Sequence, residues 1–546
     1  MIEKDSRPRG GVRGIRTPGG FPHSCFQDNR LRPLGHHSRL KNFITKLSSG
    51  ILQEMSRIAR SSLIIAFFFG LDKILGLLRA VLFNRMYAPS ERDVFFVSNN
   101  IPDLLSALIS GGALGIALIP VLTEHIQREG RPAAWQLFSQ IINLAFLVTA
   151  AIAALIILLA NPLIQYVIAP GFNDPLKWEM AARLMRLDLL AILIFSISGL
   201  VMAGLQANQH FLLPAMAPGL YNMGQIFGIL IFAPRFGIYG LAYGVILGAL
   251  LHLCIQIPGL VHHKFHWAPA IDLHNPGVRQ VLHLMGPRVL TMLCLQSYFL
   301  TRDRFASFFQ EGAVSALNNG WFIQQVPETL IGTAIAIALL PSLSEYLTNE
   351  ERQRFQDTVN RALRVMLALT LPAAVLLAVA IRPLVQVVFR FEPAETEMVI
   401  WATRAFLLGL AGHTWLEVAV RSFYAQQDAR TPLLAAFCQA LVFPAVAWAL
   451  SSQLGSTGIA LADTLTFTGQ ALFLLFLLNR RFPNVLQVRH TLARTLAASA
   501  VGGLLALALL VWLPLPALFR ALGALAAGGA AVLPWIWPEI RSLVKL

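Results

Sequence analysis

The chain has 546 residues, of which 56% are hydrophobic and only 13% are charged, and its mean hydropathy is +0.62. Soluble domains carry about a quarter charged residues, so this composition excludes a soluble globular protein. The net charge of +15 does not indicate a nucleic-acid-binding protein, because the basic residues concentrate in short loops between apolar runs rather than on one face.

Residues 1–54 differ from the rest of the chain. They are rich in Arg, Gly, Pro and His, and they contain no apolar run like the core of a signal peptide. We predict that this basic extension is disordered. The segment resembles the spurious peptide that results when the start codon of a gene is assigned too far upstream. Met55 is the alternative start of the protein.

Apolar runs of about 20 residues or more, enough to cross a bilayer about 30 Å thick, recur from Ile58 to the C-terminus. Their continuity excludes a β-barrel and predicts an all-α polytopic membrane protein with about fourteen transmembrane helices. The predicted helices are 58–87, 93–126, 134–160, 178–206, 211–233, 237–261, 276–304, 312–347, 355–381, 395–424, 431–453, 457–480, 490–513 and 516–537. An even number of helices, with Lys and Arg commoner in loops on the side of the termini, predicts that both termini are cytoplasmic.

Two segments of the chain recur in the same order. Gly111–Ile126 returns as Gly332–Leu347, and Ala207–Ala215 is echoed by Ala425–Ala435. The matched residues include Pro120 with Pro341, Glu124 with Glu345, and Pro214 with Pro432. Shared prolines and a shared glutamate in register indicate an internal repeat rather than chance similarity of apolar helices.

The repeat predicts two parallel six-helix lobes, 55–261 and 276–480, followed by an extra helix pair in 490–546. Repeats that run in the same direction imply a pseudo-twofold axis along the membrane normal, about which two lobes can rock to give alternating access. The alternative is that duplication only makes a stable bundle.

Charged residues inside the predicted helices indicate a site, because an ionisable group at membrane depth costs about 2.5–3.5 kcal/mol unless it faces a cavity or a partner. Lys73 and Arg79 lie six residues apart in the first helix, so they can line adjacent walls of one cavity. Cations there suit an anionic ligand, and a guanidinium binds phosphate in a bidentate way. Arg85 and Arg92 are interpreted as helix-end residues that reach the membrane interface.

Other charged residues fall later in the chain. Arg302 and Arg304, near the end of the seventh helix, either extend the cationic cavity or flank the following loop. Candidate ion or proton relay residues, for which a structural ion pair is the alternative, are His413, Glu417 and Arg421, one helical stripe, and Asp463. Cys25, Cys254, Cys294 and Cys438 show no metal-ligand spacing, so neither a metal site, a cofactor nor a disulfide framework is predicted.

Several motifs resemble the MurJ (MviN) family of lipid II flippases, within the multidrug/oligosaccharidyl-lipid/polysaccharide exporter superfamily. These motifs are Gly76-Leu-Leu-Arg79, Asp93-Val-Phe-Phe-Val, Ile101-Pro102-Asp103, Ala169-Pro-Gly-Phe172, Pro341-Ser-Leu-Ser and Tyr424-Ala-Gln-Gln-Asp428. The resemblance implies two six-helix lobes, with two C-terminal helices forming a groove for a polyprenyl tail. It places Arg79 and Asp93 on functional residues of the family and puts Lys73 where the family has arginine.

The chain departs from the family pattern at three positions. Ser106 and Gly111 stand where the family has arginine and glutamate, and Phe322 stands where it has arginine. The resemblance implies a flippase, not an enzyme, that carries a polyprenyl-pyrophosphate-linked sugar precursor, above all lipid II for peptidoglycan synthesis, across the inner membrane. A coupling cation or the membrane potential is an expected partner. Alternatives are a flippase for another lipid-linked glycan, a drug or cation exporter, a glycan polymerase, or a decayed scaffold that does not transport.

Overall fold

The structure, a computed structural model, describes residues 57–109 and 113–543. The predicted disordered extension, 1–54, lies outside the described residues, and so does Gly111.

Throughout the described residues, the regular elements are helices, and no strand occurs among them. In chain order, and with short π-helical turns included, they are α1 Arg57–Met86, α2 Pro89–Ile109, α3 Ala113–Arg128, α4 Arg131–Ile168, α5 Pro175–Ala207, α6 Leu212–Phe236, α7 Ile238–His262, α8 Pro276–Ala306, α9 Ala313–Thr348, α10 Arg352–Val388, α11 Pro393–Leu408, α12 Leu410–Ala425, α13 Arg430–Leu454, α14 Ser456–Arg481, α15 Arg489–Trp512 and α16 Ala517–Leu543.

Ten helices in the described part of the chain are long and apolar enough to cross a membrane. The prediction of a polytopic all-α membrane protein is therefore confirmed. Helices α1 and α8 are not among the ten. Helices α2 and α3 fall within one predicted helix, and α11 and α12 fall within another. The number of about fourteen spans stays a prediction.

The backbone repeats itself at the turns between helices. Eight of the ten described residues with positive φ form pairs 218 to 220 positions apart, in loops of the same rank in the two predicted halves; Gly312 and Arg390 have no such counterpart. The pairs are Gly130 with Glu350, Gln209 with Gln427, Gly237 with Gly455, and Lys264 with Asn484. Left-handed backbone is uncommon outside glycine, so four coincidences support the internal repeat at the level of local structure. The division into lobes at 55–261 and 276–480, and a helix pair at 490–546, stays a prediction.

Among the described residues, the hydrophobic core is one large cluster at one end of the helices and two clusters at the other. The shared core contains residues of both halves and includes Phe83, Ile164, Tyr298, Phe406 and Phe467. It lies toward the loops 87–88, 169–174 and 307–312, which we call the shared end. Toward the opposite loops, the divided end, one core around Phe138 joins α2, α3, α4 and α5 with α8 of the C-terminal half. Another core, around Phe355, belongs to α9, α10, α12, α13 and α14. The two halves are therefore joined at the shared end.

Two pairs of glycines let α6 and α7 pack with their backbones in contact. A Cβ on Gly228 would lie 2.5 Å from Gly244 Cα, and a Cβ on Gly224 would lie 2.3 Å from Gly248 Cα. Such small-residue contacts are how helices approach closely in a membrane, where dispersion forces rather than hydrophobicity drive association. These glycines fix the position of α6, which carries cavity residues described below.

Gly244→Ala is expected to destabilise the protein by about 1–3 kcal/mol, because the added methyl group forces the two backbones apart. The check is thermal unfolding of the purified protein in detergent. Gly469→Ala on α14 is the matched control, since a Cβ there meets no atom within 4 Å. At Gly469 only the higher helix propensity of alanine acts, so this control should melt at the same temperature as the wild type or higher. A Gly244→Ala variant that melts as high as the control would contradict the close packing.

Candidate functional site

A cavity of about 410 Å3 lies between the two halves of the chain. Helices α1, α2, α6 and α7 line it from the N-terminal half, and α9 lines it from the C-terminal half. Its polar lining consists of Arg79, Asn84, Asn99, Asp103, Tyr221, Gln225, Asn318, Asn319 and Gln325. We call it the central cavity; its wall combines one guanidinium with many amides.

Arg79 is the cation of the central cavity wall. The side chain comes from the middle of α1, and its Nη1 donates a hydrogen bond to Gln225 Oε1 on α6 at 3.2 Å. That bond accounts for one of the five N–H groups of a guanidinium. Asp103 on α2 interacts electrostatically with Arg79 and lines the same cavity. The arrangement presents a planar donor fork to an anion that enters the cavity.

Two smaller cavities adjoin the central one, and both include Asn99 and Asp103 in their walls. One of the two, a cavity of about 290 Å3, lies against α8, and Arg302 and Asp303 are among the residues that line it. Arg302 is 1% exposed and forms an ion pair with Asp303, with Nε to Oδ1 at 3.0 Å. Its charge is thus already balanced by a carboxylate from its own helix.

Two of the predicted substrate-binding cations lie elsewhere. Lys73 is exposed on α1 and is not among the residues that line the central cavity. Its neighbour Asp72 accepts a hydrogen bond from Asn222 at 2.9 Å, so Asp72 has a partner other than Lys73. Arg304 is directed at the shared end, where Nη1 donates to the Tyr166 carbonyl oxygen at 2.7 Å. The structure brings Arg79 and Arg302 to neighbouring cavities but not Lys73 or Arg304, and all four roles stay predictions.

Asp93, the predicted acidic site residue, joins the two halves at the shared end. Its Oδ2 accepts from the backbone N–H of Gly312 at 2.6 Å, and its Oδ1 accepts from that of Ser315 at 2.7 Å. The N–H groups that begin a helix have no partner within the helix, and a carboxylate satisfies them well. Asp93 on α2 therefore caps the start of α9.

Arg92 forms a buried ion pair between the two halves that could not be predicted from the sequence. Its side chain is 2% exposed, and its Nη2 donates to Glu395 Oε2 on α11 at 2.8 Å. Its Nη1 donates to Asn84 Oδ1, and Asn84 in turn exchanges two amide hydrogen bonds, at 2.8 and 2.9 Å, with Asn319 on α9. The expectation that Arg92 reaches the membrane interface is wrong, because its partner comes from the other half of the chain.

The predicted relay residues form two separate pairs. His413 Nε2 on α12 lies 3.1 Å from Asp463 Oδ2 on α14, and both side chains are buried. The His413 ring stacks on Phe467 with a centroid distance of 4.6 Å. Glu417 and Arg421, one and two turns further along α12, form an ion pair with each other. A relay through these residues stays a prediction.

The departures from the family pattern fall on cavity walls where the structure describes them. Phe322 lines the central cavity, and Ser106 lines a cavity of about 270 Å3 in the N-terminal half. Both replace expected cations with neutral side chains, which leaves Arg79 without a second cation from these positions. Gly111 lies outside the described residues.

The helical architecture and the cavity between two halves define a multi-pass membrane protein with the fold of multidrug/oligosaccharidyl-lipid/polysaccharide (MOP) superfamily transporters. One solved structure, "Lipid II flippase MurJ, inward closed conformation", aligns with a TM-score of 0.75 and 22% identity over 88% of this chain and 100% of that one. An inward-facing multidrug resistance MATE family transporter of the MOP superfamily aligns with a TM-score of 0.65 and 14% identity over 76% and 95% of the two chains.

Sequence comparison then gives the family. A family model described as "Lipid II flippase MurJ" matches residues 84–527. Curated relatives include the "Lipid II flippase MurJ" of Burkholderia cenocepacia, 28% identical over 74% of this chain and 80% of the relative. The "Probable lipid II flippase MurJ" of Vibrio cholerae is 28% identical over 84% of this chain and 89% of the relative. The chain belongs to the MurJ lipid II flippase family.

Proposed function

We propose that this protein is a transporter that flips lipid II across the cytoplasmic membrane for peptidoglycan synthesis, by alternating access and without chemical change of its substrate. The family to which the chain belongs supports the substrate. The single structural observation that carries the proposal is Arg79 on the wall of a polar cavity between the two halves.

The proposed orientation places the shared end outside and the divided end, together with both termini, in the cytoplasm. The loops at the divided end lie on the Lys- and Arg-rich side of the chain, which supports this orientation. In it, the central cavity receives the sugar-pyrophosphate head group from the cytoplasm. Separation at the shared end, where Asp93 and Arg92 join the halves, then releases the head group outward.

Within the proposed mechanism, Arg79 binds the pyrophosphate, and Arg302 contacts the head group from the adjoining cavity by exchanging its Asp303 partner for a phosphate oxygen. Lys73, which is exposed on α1, acts earlier on the path, and Arg304, which is partly buried at the shared end, acts later; both attract the phosphate groups. The lipid tail stays in the bilayer along α15 and α16. Glu539 of α16 pairs with Arg364 of α10 at 3.2 Å, a contact that supports attachment of this helix pair to the C-terminal half.

The proposal also includes coupling of lipid flipping to a proton gradient. The buried His413–Asp463 pair is proposed to carry a proton and the Glu417–Arg421 pair to pass it toward the cytoplasmic end of α12. Asp463→Asn retains the shape and one acceptor oxygen but removes the charge, so it is expected to make flipping independent of the proton gradient without loss of folded protein. Flipping in proteoliposomes with and without an imposed gradient is the measurement. An unchanged gradient dependence would leave the pair with a structural role.

The proposed function is tested by depletion of this protein in its host and mass spectrometry of lipid-linked precursors on each face of the membrane. Lipid II is expected to accumulate on the cytoplasmic face and to return to normal when the wild-type chain is restored. A normal lipid II distribution with accumulation of another polyprenyl-linked glycan would overturn the substrate assignment. A distribution unchanged for every precursor would favour a scaffold.

A further inference from the structure

The cavity of about 270 Å3 in the N-terminal half has the opposite chemistry to the arginine wall beside it. It lies among α2, α5, α6 and α7, and two carboxylates, Asp103 and Asp188, line it. Neither lysine nor arginine lines it, among the residues that the structure describes. We call it the acidic cavity, and nothing in the proposed handling of the head group uses it.

Asp188 is the side chain that points to a ligand. It is 1% exposed, and no donor meets its carboxylate oxygens with full hydrogen-bond geometry, although the Ser98 hydroxyl lies close enough to act on its charge. The Ser98 hydroxyl beside it donates instead to the Phe95 carbonyl oxygen at 2.8 Å. A buried carboxylate without a donor is strongly unfavourable unless a proton or a cation compensates its charge.

The groups around the two carboxylates leave this charge uncompensated. Arg79 from α1 and Asp303 from α8 act electrostatically on Asp103 with opposite signs. Tyr221 from α6 and His252 from α7 complete the wall, and His252 Nδ1 is already in contact with Ser198 Oγ at 2.5 Å. Arg79 therefore offsets the negative charge of Asp103, whereas Asp188 faces the carboxylate of Asp103 and neutral groups.

We propose that Asp103 and Asp188 form a binding site for a monovalent cation, Na+ or a proton, in the N-terminal half of the protein. Hard cations take oxygen ligands, and Asn99 and Ser98 add neutral oxygens beside the two carboxylates.

The cation has a consequence for the anion site. Asp103 lines both the acidic cavity and the central cavity that holds Arg79. An occupied cation site offsets negative charge next to the place where a pyrophosphate would bind, so cation and anion are expected to bind with positive coupling. This consequence rests on the proposed function, whereas the cation site itself does not.

The test uses the purified full chain in detergent without any lipid substrate. At pH 8, replacement of choline by Na+ at constant ionic strength is expected to raise the melting temperature of the wild type by on the order of a few degrees. Asp188→Asn is expected to abolish this rise. It should also melt higher than the wild type in choline, because a neutral amide replaces an unpartnered buried charge. Glu179→Gln, on the exposed part of the same helix, is the control that keeps the Na+ response.

Each outcome bears on the proposal. If Na+ has no effect but the wild type is stabilised from pH 8 to pH 6 and Asp188→Asn is not, the same site binds a proton. An Asp188→Asn variant that responds to Na+ and pH like the wild type would overturn the site, and so would one that melts lower than the wild type in choline. Because no lipid is present, failure here leaves lipid II flipping untouched, and failure of lipid II flipping leaves this result standing.

Discussion

Arg79→Ala is expected to abolish rescue of a host depleted of this protein, with lipid II retained on the cytoplasmic face of the membrane. The guanidinium lies on the wall of the central cavity, where it is half-buried and bonded to Gln225. Truncation of one partner of a desolvated charge-assisted contact costs about 2–5 kcal/mol. The affinity for the pyrophosphate should therefore fall by about 30-fold or more.

Arg79→Lys separates charge from geometry. It keeps the positive charge but not the planar donor fork, so partial rescue is expected if bidentate recognition of phosphate matters. Arg183→Ala is the matched control, because Arg183 is an exposed arginine of α5 that pairs with Glu179 away from the cavity. Full rescue by Arg79→Ala at normal protein level would remove Arg79 from the substrate site.

Arg92→Ala is expected to destabilise the folded protein by about 3–5 kcal/mol, because it leaves Glu395 buried without its charge partner. It also breaks the chain of hydrogen bonds through Asn84 that joins α1 and α2 to α9. The measurement is thermal or denaturant unfolding of the purified protein. A gain of solvent access at the shared end is expected to accompany the loss.

Two comparisons make this result specific. Arg92→Met combined with Glu395→Leu removes both charges, so it should recover most of the lost stability. Glu397→Ala breaks the exposed Arg382–Glu397 pair, whose side chains are 45% and 44% exposed, and should cost no more than about 1 kcal/mol. A loss at Arg92 as small as that at Glu397 would mean that the buried pair does not hold the halves together.

The amino-acid sequence by itself determined the class of protein, the helical segments and the repeat. These properties depend on local patterns: apolar runs of membrane length, and prolines such as Pro214 and Pro432 at the starts of α6 and α13. Arg79 also stood out from the sequence alone, because a charge in the middle of an apolar helix needs a cavity or a partner.

The tertiary structure decided which charges meet. Arg92 lies at the start of its helix, as residues that reach the interface do, yet it is buried because Glu395 comes from a helix about 300 positions later. Asp93 similarly meets the start of α9, and Asp188 shares a cavity wall with Asp103. Helical periodicity relates only residues within a few turns of one another on the same helix. Contacts between helices depend on how the two halves pack. That packing places Arg79 on the wall of the cavity between the two halves.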